Sequence, residues 1–352
     1  MTARRTADWP EAAAALAALI PRQALHPAAV AWAQGRPARE GWTVALSGGA
    51  DSVALLLLVW AHWPAHRRGL RCVHFNHRLR GRESTRDARF CARLCDGLGV
   101  PLATGTWERR PANPGEAQAR QARFDFIDRQ LARGRRRVLL LGHQQDDVAE
   151  TLLMRLARGS GAGGLCAPRP VHVFPRQAGT GLDRFHVRPL LTLGKEPIQR
   201  ALREAGVTWR EDSSNAAGAY FRNRLRTEVI PRWVRASGRD ALAGAALSRE
   251  LLEQDDQALE AWVDELVPIC GDGALAVSRL AGRPEAVVRR ALHRWLLAEP
   301  RAGVLSRQGF TSLLAAVAKG DPVRHSLGIH GFARIRSGYM RFEPIGQSRA
   351  PH

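Results

Sequence analysis

Two short stretches concentrate side chains able to do chemistry. The first is Ser47-Gly48-Gly49-Ala50-Asp51-Ser52, in which two glycines stand between hydroxyls beside a carboxylate. Gly48 and Gly49 let the backbone approach a ligand closely, because no Cβ stands in the way. The apolar run 53–60 behind them reads as a helix, whose first N–H groups lack intrahelical partners and favour negative charge. A phosphate chain is the expected guest, and a plain glycine turn between core elements is the bland alternative. A Walker A loop needs Gly-x-x-x-x-Gly-Lys-Ser/Thr, yet the only lysines, Lys195 and Lys319, stand elsewhere. The dinucleotide fingerprint needs a third glycine where Ser52 stands.

The second stretch is His143-Gln144-Gln145-Asp146-Asp147-Val148-Ala149-Glu150-Thr151. Asp146, Asp147 and Glu150 are candidates for binding a cation or accepting a proton. If a helix starts near Asp146, then Asp147 and Glu150 share a face. Acids in a first helical turn can also serve only the helix dipole, and Asp146 could be the N-cap. His143 is open between nucleotide contact and a role at the strand end, and His74 and His77 lack a carboxylate or cysteine at metal-ligand spacing.

Alternating strands and helices must position these groups. Val44-Ala45-Leu46 reads as the end of a buried strand, residues 70–75 as a second and residues 100–106 as a third. Ser84, three residues before Asp87, predicts a capping box for a helix carrying Cys91, Leu94, Cys95 and Leu98 on one face. A further helix follows Asn113-Pro114-Gly115, with Phe124, Ile127 and Leu131 on its apolar side. Val138-Leu139-Leu140-Leu141 is a continuous apolar strand, as parallel strands buried on both faces are. The expected fold is therefore α/β, a doubly wound and mostly parallel sheet. In such sheets ligands sit beyond the carboxyl ends of the strands, where 47–52, 74–80 and 143–147 converge.

At 352 residues the chain is long for a single core, so two domains are expected: 1–232, holding the motifs, and 233–345, smaller and mainly helical, with 346–352 as a tail. In the second part 240–267 and 284–298 read as helices, and 333–336 with 339–342 as a terminal hairpin. The longest apolar runs are too short to span a bilayer, and Asp8 and Glu11 argue for an ordinary helix over a signal peptide, so a cytoplasmic location is expected. Five cysteines without two-residue spacing argue against a disulfide framework or a zinc or iron–sulfur site. The net charge of +20 is nearly all arginine and is clustered, nine in residues 67–93 and nine in 109–137. Guanidinium groups match phosphate geometry, so a nucleic-acid partner is preferred over a merely solvated surface.

The loop 47–52 resembles the pyrophosphatase loop of enzymes that cleave ATP to AMP and pyrophosphate. Five further segments resemble tRNA(Ile)-lysidine synthetases, in that family's order: His74-Phe75-Asn76-His77-Arg78-Leu79-Arg80, the His143–Thr151 stretch with Arg155 to Gly161 behind it, Arg188-Pro189-Leu190-Leu191, Glu211 to Asn215, and Arg222 to Arg226. Arg78 stands where that family has a glycine, and Cys166-Ala167 where a small residue and glycine are common. The resemblance implies an adenine nucleotide α-hydrolase-like fold. It also implies two-step ligation: ATP adenylates C2 of the wobble cytidine in an isoleucine tRNA with a CAU anticodon, and free L-lysine then displaces AMP. Under it Ser47, Gly48, Gly49, Ala50, Asp51, Ser52, His74 and His143 contact ATP, and Asp51 orients the loop or holds Mg²⁺. Arg120 and Arg123 supply positive field, with Asp51, Asp146, Asp147 and Glu150 beside Arg120 in catalysis. Arg80, Arg222, Arg224 and Arg226 face tRNA, and Arg222 to Arg226 have a basic surface helix as their plainer reading. A homodimer is an open option, and no membrane partner is expected. The rival activities are a thiolating tRNA modifier with the same loop, a small-molecule amidating synthetase, and a nucleic-acid binder without activity.

Overall fold

The computed structural model describes residues 8–78, 82–108, 110–111, 115–174, 183–211, 221–303 and 305–345. The chain divides into two compact units, Met1–Leu251 and Leu252–His352.

Asp8 caps α1 (Trp9–Leu19) by accepting from the Glu11 amide, with Pro10 in the first turn. After α2 (Pro27–Gln34) comes β1 (Trp42–Ala45), then α3 (Ala50–His62), β2 (Arg71–Asn76), α4 (Arg82–Gly97), β3 (Leu102–Thr106), α5 (Glu116–Arg133) and β4 (Val138–Leu140). Next are α6 (Gln145–Leu156), the short α7 (Ala162–Leu165), β5 (Val171–Phe174), β6 (Arg184–Val187) and α8 (Lys195–Glu204). The sheet order is β3-β2-β1-β4-β6-β5, parallel except for β5, which pairs antiparallel with β6 at the edge. β1 sits at the reversal of strand order, where doubly wound sheets open a crevice for ligands.

Period-two alternation sorts each strand between two faces. Val138 and Leu140 pack with α1 to α4 and α8, whereas Leu139 and Leu141 pack on the other side with Phe126, Ile127 and Leu131 of α5. α3 is enclosed, with every residue from Ser52 to Val59 buried. α4 begins at Arg82, so Ser84 lies inside its first turn and not at the cap, and its carbonyl accepts from Asn76 Nδ2. Arg78, in the place of a family glycine, adopts φ +55°, and its amide donates to Asn76 Oδ1, a short turn at the end of β2. Cys166 is buried.

α9 (Phe221–Arg224) runs through a π-helical turn at Leu225–Val229 into α10 (Ile230–Ser237). Pro231 has no N–H for the helical ladder, and the wider turn absorbs that gap. The long α11 (Ala241–Leu266) carries the division between units at residue 251.

In the second unit, α12 (Glu285–Ala298) and α13 (Arg307–Lys319) pack with a four-stranded antiparallel sheet. Its strands are β7 (Leu275–Ala276), β8 (Val323–Ser326), β9 (Phe332–Arg336) and β10 (Tyr339–Glu343), in the order β7-β10-β9-β8. The expected hairpin is β9–β10, closed by Ser337 and Gly338, both at positive φ as a two-residue turn of this hand requires. Among the described residues no helix is long and apolar enough to cross a membrane. All five cysteines are free thiols.

Candidate active site

β1 delivers the chain to Ser47, and Gly48 turns it at φ +92°, where a Cβ would lie 3.3 Å from Cys91 Sγ. Gly49 then caps α3. Ser52 Oγ ties the elbow together: it accepts from the amides of Ser47 (3.1 Å) and Gly48 (3.2 Å) and donates to the Gly49 carbonyl (3.0 Å). Behind the elbow the Arg210 amide donates to the Gly48 carbonyl, and Arg210 Nε donates to Asp87 Oδ1 at 2.8 Å. This brace joins residues far apart in the chain, and no local pattern announced it.

Asp51, in the first turn of α3, keeps Oδ1 buried with no hydrogen-bond partner. Burial, and then the nearby negative charge of Asp147, raises its pKa from 3.8 to about 7. A carboxyl so placed, beside other acids and a glycine elbow, fits a hard cation. Among the described residues no group of three His, Cys, Asp or Glu side chains is arranged to hold a metal alone. A magnesium ion would therefore depend on Asp51 and on oxygens brought by a ligand, as that ion commonly does.

His74 Nδ1 donates to the Leu46 carbonyl at 2.9 Å, which leaves Nε2 as a buried acceptor with no donor among the described residues. Burial lowers its pKa, so the ring is neutral. Arg80 lies outside the described residues, as do 212–215.

α6 begins one residue earlier than the acids suggest. Gln144 is its N-cap, so Asp146 is not, and the Asp147 carboxylate accepts from the Gln144 amide in a capping box. The three acids then part company. Asp146 Oδ2 accepts from the Lys195 amide at 3.1 Å, tying α6 to the start of α8. Glu150 is fully buried and holds two guanidinium groups, Arg222 Nε at Oε2 and Arg226 Nε at Oε1, each at 2.6 Å. Asp147 Oδ1 also accepts from Arg222, at 2.7 Å, while its carboxylate borders the cleft with Asp51. Spacing explains the match: Asp147 and Glu150 share one helical face, and Arg222 and Arg226 share another. Arg224 is exposed, with its guanidinium 5.9 Å from the Phe221 ring.

The elbow, Asp51, His74, His143, Asp147, Arg120, Arg123, Arg222 and Arg226 enclose a cleft of about 500 Å³. Burial and neighbouring cations lower the pKa of both α5 arginines, that of Arg123 to about 10, so both stay charged at neutral pH. A second cleft of about 1190 Å³ shares Glu116, Arg120, His143 and Arg222 with the first. Its wall carries rings that sequence reading passed over, with His186 stacked near Phe124 (5.9 Å) and Phe174 packed on His186 (4.4 Å). Arg155, Arg158, Arg169 and Arg184 line it as well. The β-branched and aromatic run Val171-His172-Val173-Phe174 was the available signal for this wall. Of the expected ATP-contact and catalytic residues, all border the first cleft except Gly48, Ala50, Asp146 and Glu150.

A parallel sheet whose first strand feeds a Ser-Gly-Gly-x-Asp-Ser elbow into a helix N-terminus is the architecture of a PP-loop domain, and that family matches residues 25–233. The chain is 37% identical to a tRNA(Ile)-lysidine synthase of Geobacter sulfurreducens over 76% of its own length and 56% of that protein's. It is 35% identical to the tRNA(Ile)-lysidine synthase of Hyphomonas neptunium, covering 78% of this chain and 73% of that one. The chain belongs to the PP-loop family and, within it, to the tRNA(Ile)-lysidine synthases. It spans about half the length of several curated relatives, 56% and 55% for those of Geobacter sulfurreducens and Symbiobacterium thermophilum. Among solved structures, a U34-tRNA thiolase from Methanococcus maripaludis aligns with a TM-score of 0.47 at 16% identity, over 62% of this chain and 74% of that one.

Proposed function

We propose that this chain joins free L-lysine to C2 of the wobble cytidine of an isoleucine tRNA with a CAU anticodon, consuming ATP to AMP and pyrophosphate. The observation that supports this most is the meeting of two clefts at Arg120, His143 and Arg222. The smaller suits a nucleotide, with its triphosphate on the elbow and the α3 N-terminus. The larger, lined by arginines and rings, suits an unstacked nucleobase with its backbone phosphates. Bound at Asp51, Mg²⁺ would neutralise the charge that builds on departing pyrophosphate. Arg120 and Arg123 add fixed positive charge on the same side. The base oxygen attacks the α-phosphorus, and pyrophosphate leaves.

The ε-amine of lysine is about 10³-fold or more protonated near neutrality, so it must lose a proton before attack. Asp147 is the carboxylate suited to receive it, because it borders the cleft and has one oxygen on an arginine and the other on a backbone amide, whereas Glu150 is fully buried with both oxygens on arginines. In this reading Arg222 and Arg226 hold the acidic pair in register, while Arg224, outward-facing, and Arg80 meet tRNA phosphates. Asp147→Asn should retain tRNA-dependent pyrophosphate release in a single turnover and lose lysine transfer about 10²-fold or more. Equal loss of both steps, or of neither, contradicts the role given to Asp147.

A further inference from the structure

Arg188, the first residue of the Arg188-Pro189-Leu190-Leu191 motif, has no part in the scheme above. It is buried, and its backbone and side chain are fixed by other groups. Its amide donates to the Pro170 carbonyl at 2.8 Å, and its Nη1 donates to the Arg169 carbonyl at 2.7 Å. Its Nε donates to His143 Nδ1 at 3.1 Å. A guanidinium has no acceptor, so Nδ1 must carry the lone pair and the ring proton must sit on Nε2. No described protein group accepts from that Nε2, and the ring borders both clefts. We propose that Arg188 is a positioning residue that locks His143 in its neutral Nε2–H form, making it a fixed hydrogen-bond donor to a substrate oxygen where the two clefts meet.

The surroundings agree. Burial first, then the charges of Arg188 after β6, Arg222 on α9, and Arg123 and Arg120 on α5, hold the imidazole well below its usual pKa. A protonated ring would present an N–H to the Arg188 guanidinium and lose its hydrogen bond. His143 is thereby removed from acid–base duty, and its neutral donor meets an oxygen that gains negative charge, either a phosphoryl oxygen of the nucleotide or the base oxygen as it leaves C2 with AMP. The donor's target rests on the functional reading above; the tautomer does not.

The test uses the full chain labelled with ¹⁵N-histidine, the His143 ring being identified by its disappearance in His143→Gln. The expected spectrum shows one neutral imidazole with its proton on Nε2, unchanged between about pH 5 and pH 8. In Arg188→Met the same ring should show both neutral tautomers, because nothing then reserves Nδ1 as the acceptor, while burial and the remaining arginines keep it unprotonated. A wild-type ring protonated on Nδ1, or one that titrates within that window, overturns the inference, and this readout needs neither substrate nor activity. If Arg188→Met does not fold, the wild-type resonance decides alone. In turnover, His143→Ala should lose roughly 10²- to 10³-fold in kcat. His143→Gln, whose amide N–H replaces the donor, should recover at least tenfold of that; equal impairment of the two refutes the donor role. Weaker ATP binding by His143→Ala without RNA places the acceptor on the nucleotide, and unchanged ATP binding with slower turnover places it on the base.

Discussion

Asp51 shows how one carboxyl records what the site awaits. Its folded pKa of about 7 lies above the unfolded 3.8, so the folded state disfavours the charged form. Stability from this group is complete below about pH 4 and declines as pH rises through about 7. In protein free of nucleotide and divalent ions, Asp51→Asn should therefore raise Tm at pH 8 and leave it nearly unchanged near pH 4, as calorimetry can check. An equal gain at both pH values would contradict this. Glu150, by contrast, is buried with both oxygens on Arg222 and Arg226. Sequence spacing placed Asp147 and Glu150 on one face correctly but was silent about their partners. Ion pairs between residues some 75 positions apart leave no mark in a local pattern.

At the scale of elements, the approach of β4 to α3 sets the shape of the nucleotide cleft. Gly142 follows β4, and a Cβ there would meet the Asp51 carbonyl oxygen at 2.9 Å and the Ser52 nitrogen at 3.1 Å. Those atoms are backbone at a helix N-terminus and cannot rotate aside. Gly142→Ala should thus push the elbow away and weaken ATP binding about tenfold or more in a calorimetric titration, with Tm reduced by only a few degrees. Unchanged affinity would mean that the elbow is not where the phosphates sit. The strands β1 to β4 and the helices α3 to α6 were legible because each is a continuous apolar run or a clean helical face, whereas the short α2 was not read. The edge pair β5–β6 was not, since a short two-stranded margin beside a cleft lacks the apolar density of a central strand. Phe124, read on the apolar side of its helix with Ile127 and Leu131, packs half-buried against that core and also borders the larger cleft.

For the molecule as a whole, charge is the property that sequence displayed most openly and structure distributes. The +20 excess leaves arginines lining the larger cleft, while Arg222 and Arg226 are turned against buried acids. If about six RNA phosphates are neutralised, log K for tRNA should fall with log[salt] at a slope of roughly −4. A slope near zero in a salt series would contradict a phosphate-based interface. The second unit has its own helices and antiparallel sheet, and we propose that it contributes to gripping tRNA. The most direct test of the whole proposal is to incubate the purified chain with ATP, magnesium, labelled L-lysine and a CAU-anticodon isoleucine tRNA. The account predicts label entering that RNA at one position, with one AMP and one pyrophosphate formed per lysine. Label absent from the RNA while ATP is still split to AMP, or sulfur incorporated in place of lysine, would contradict it.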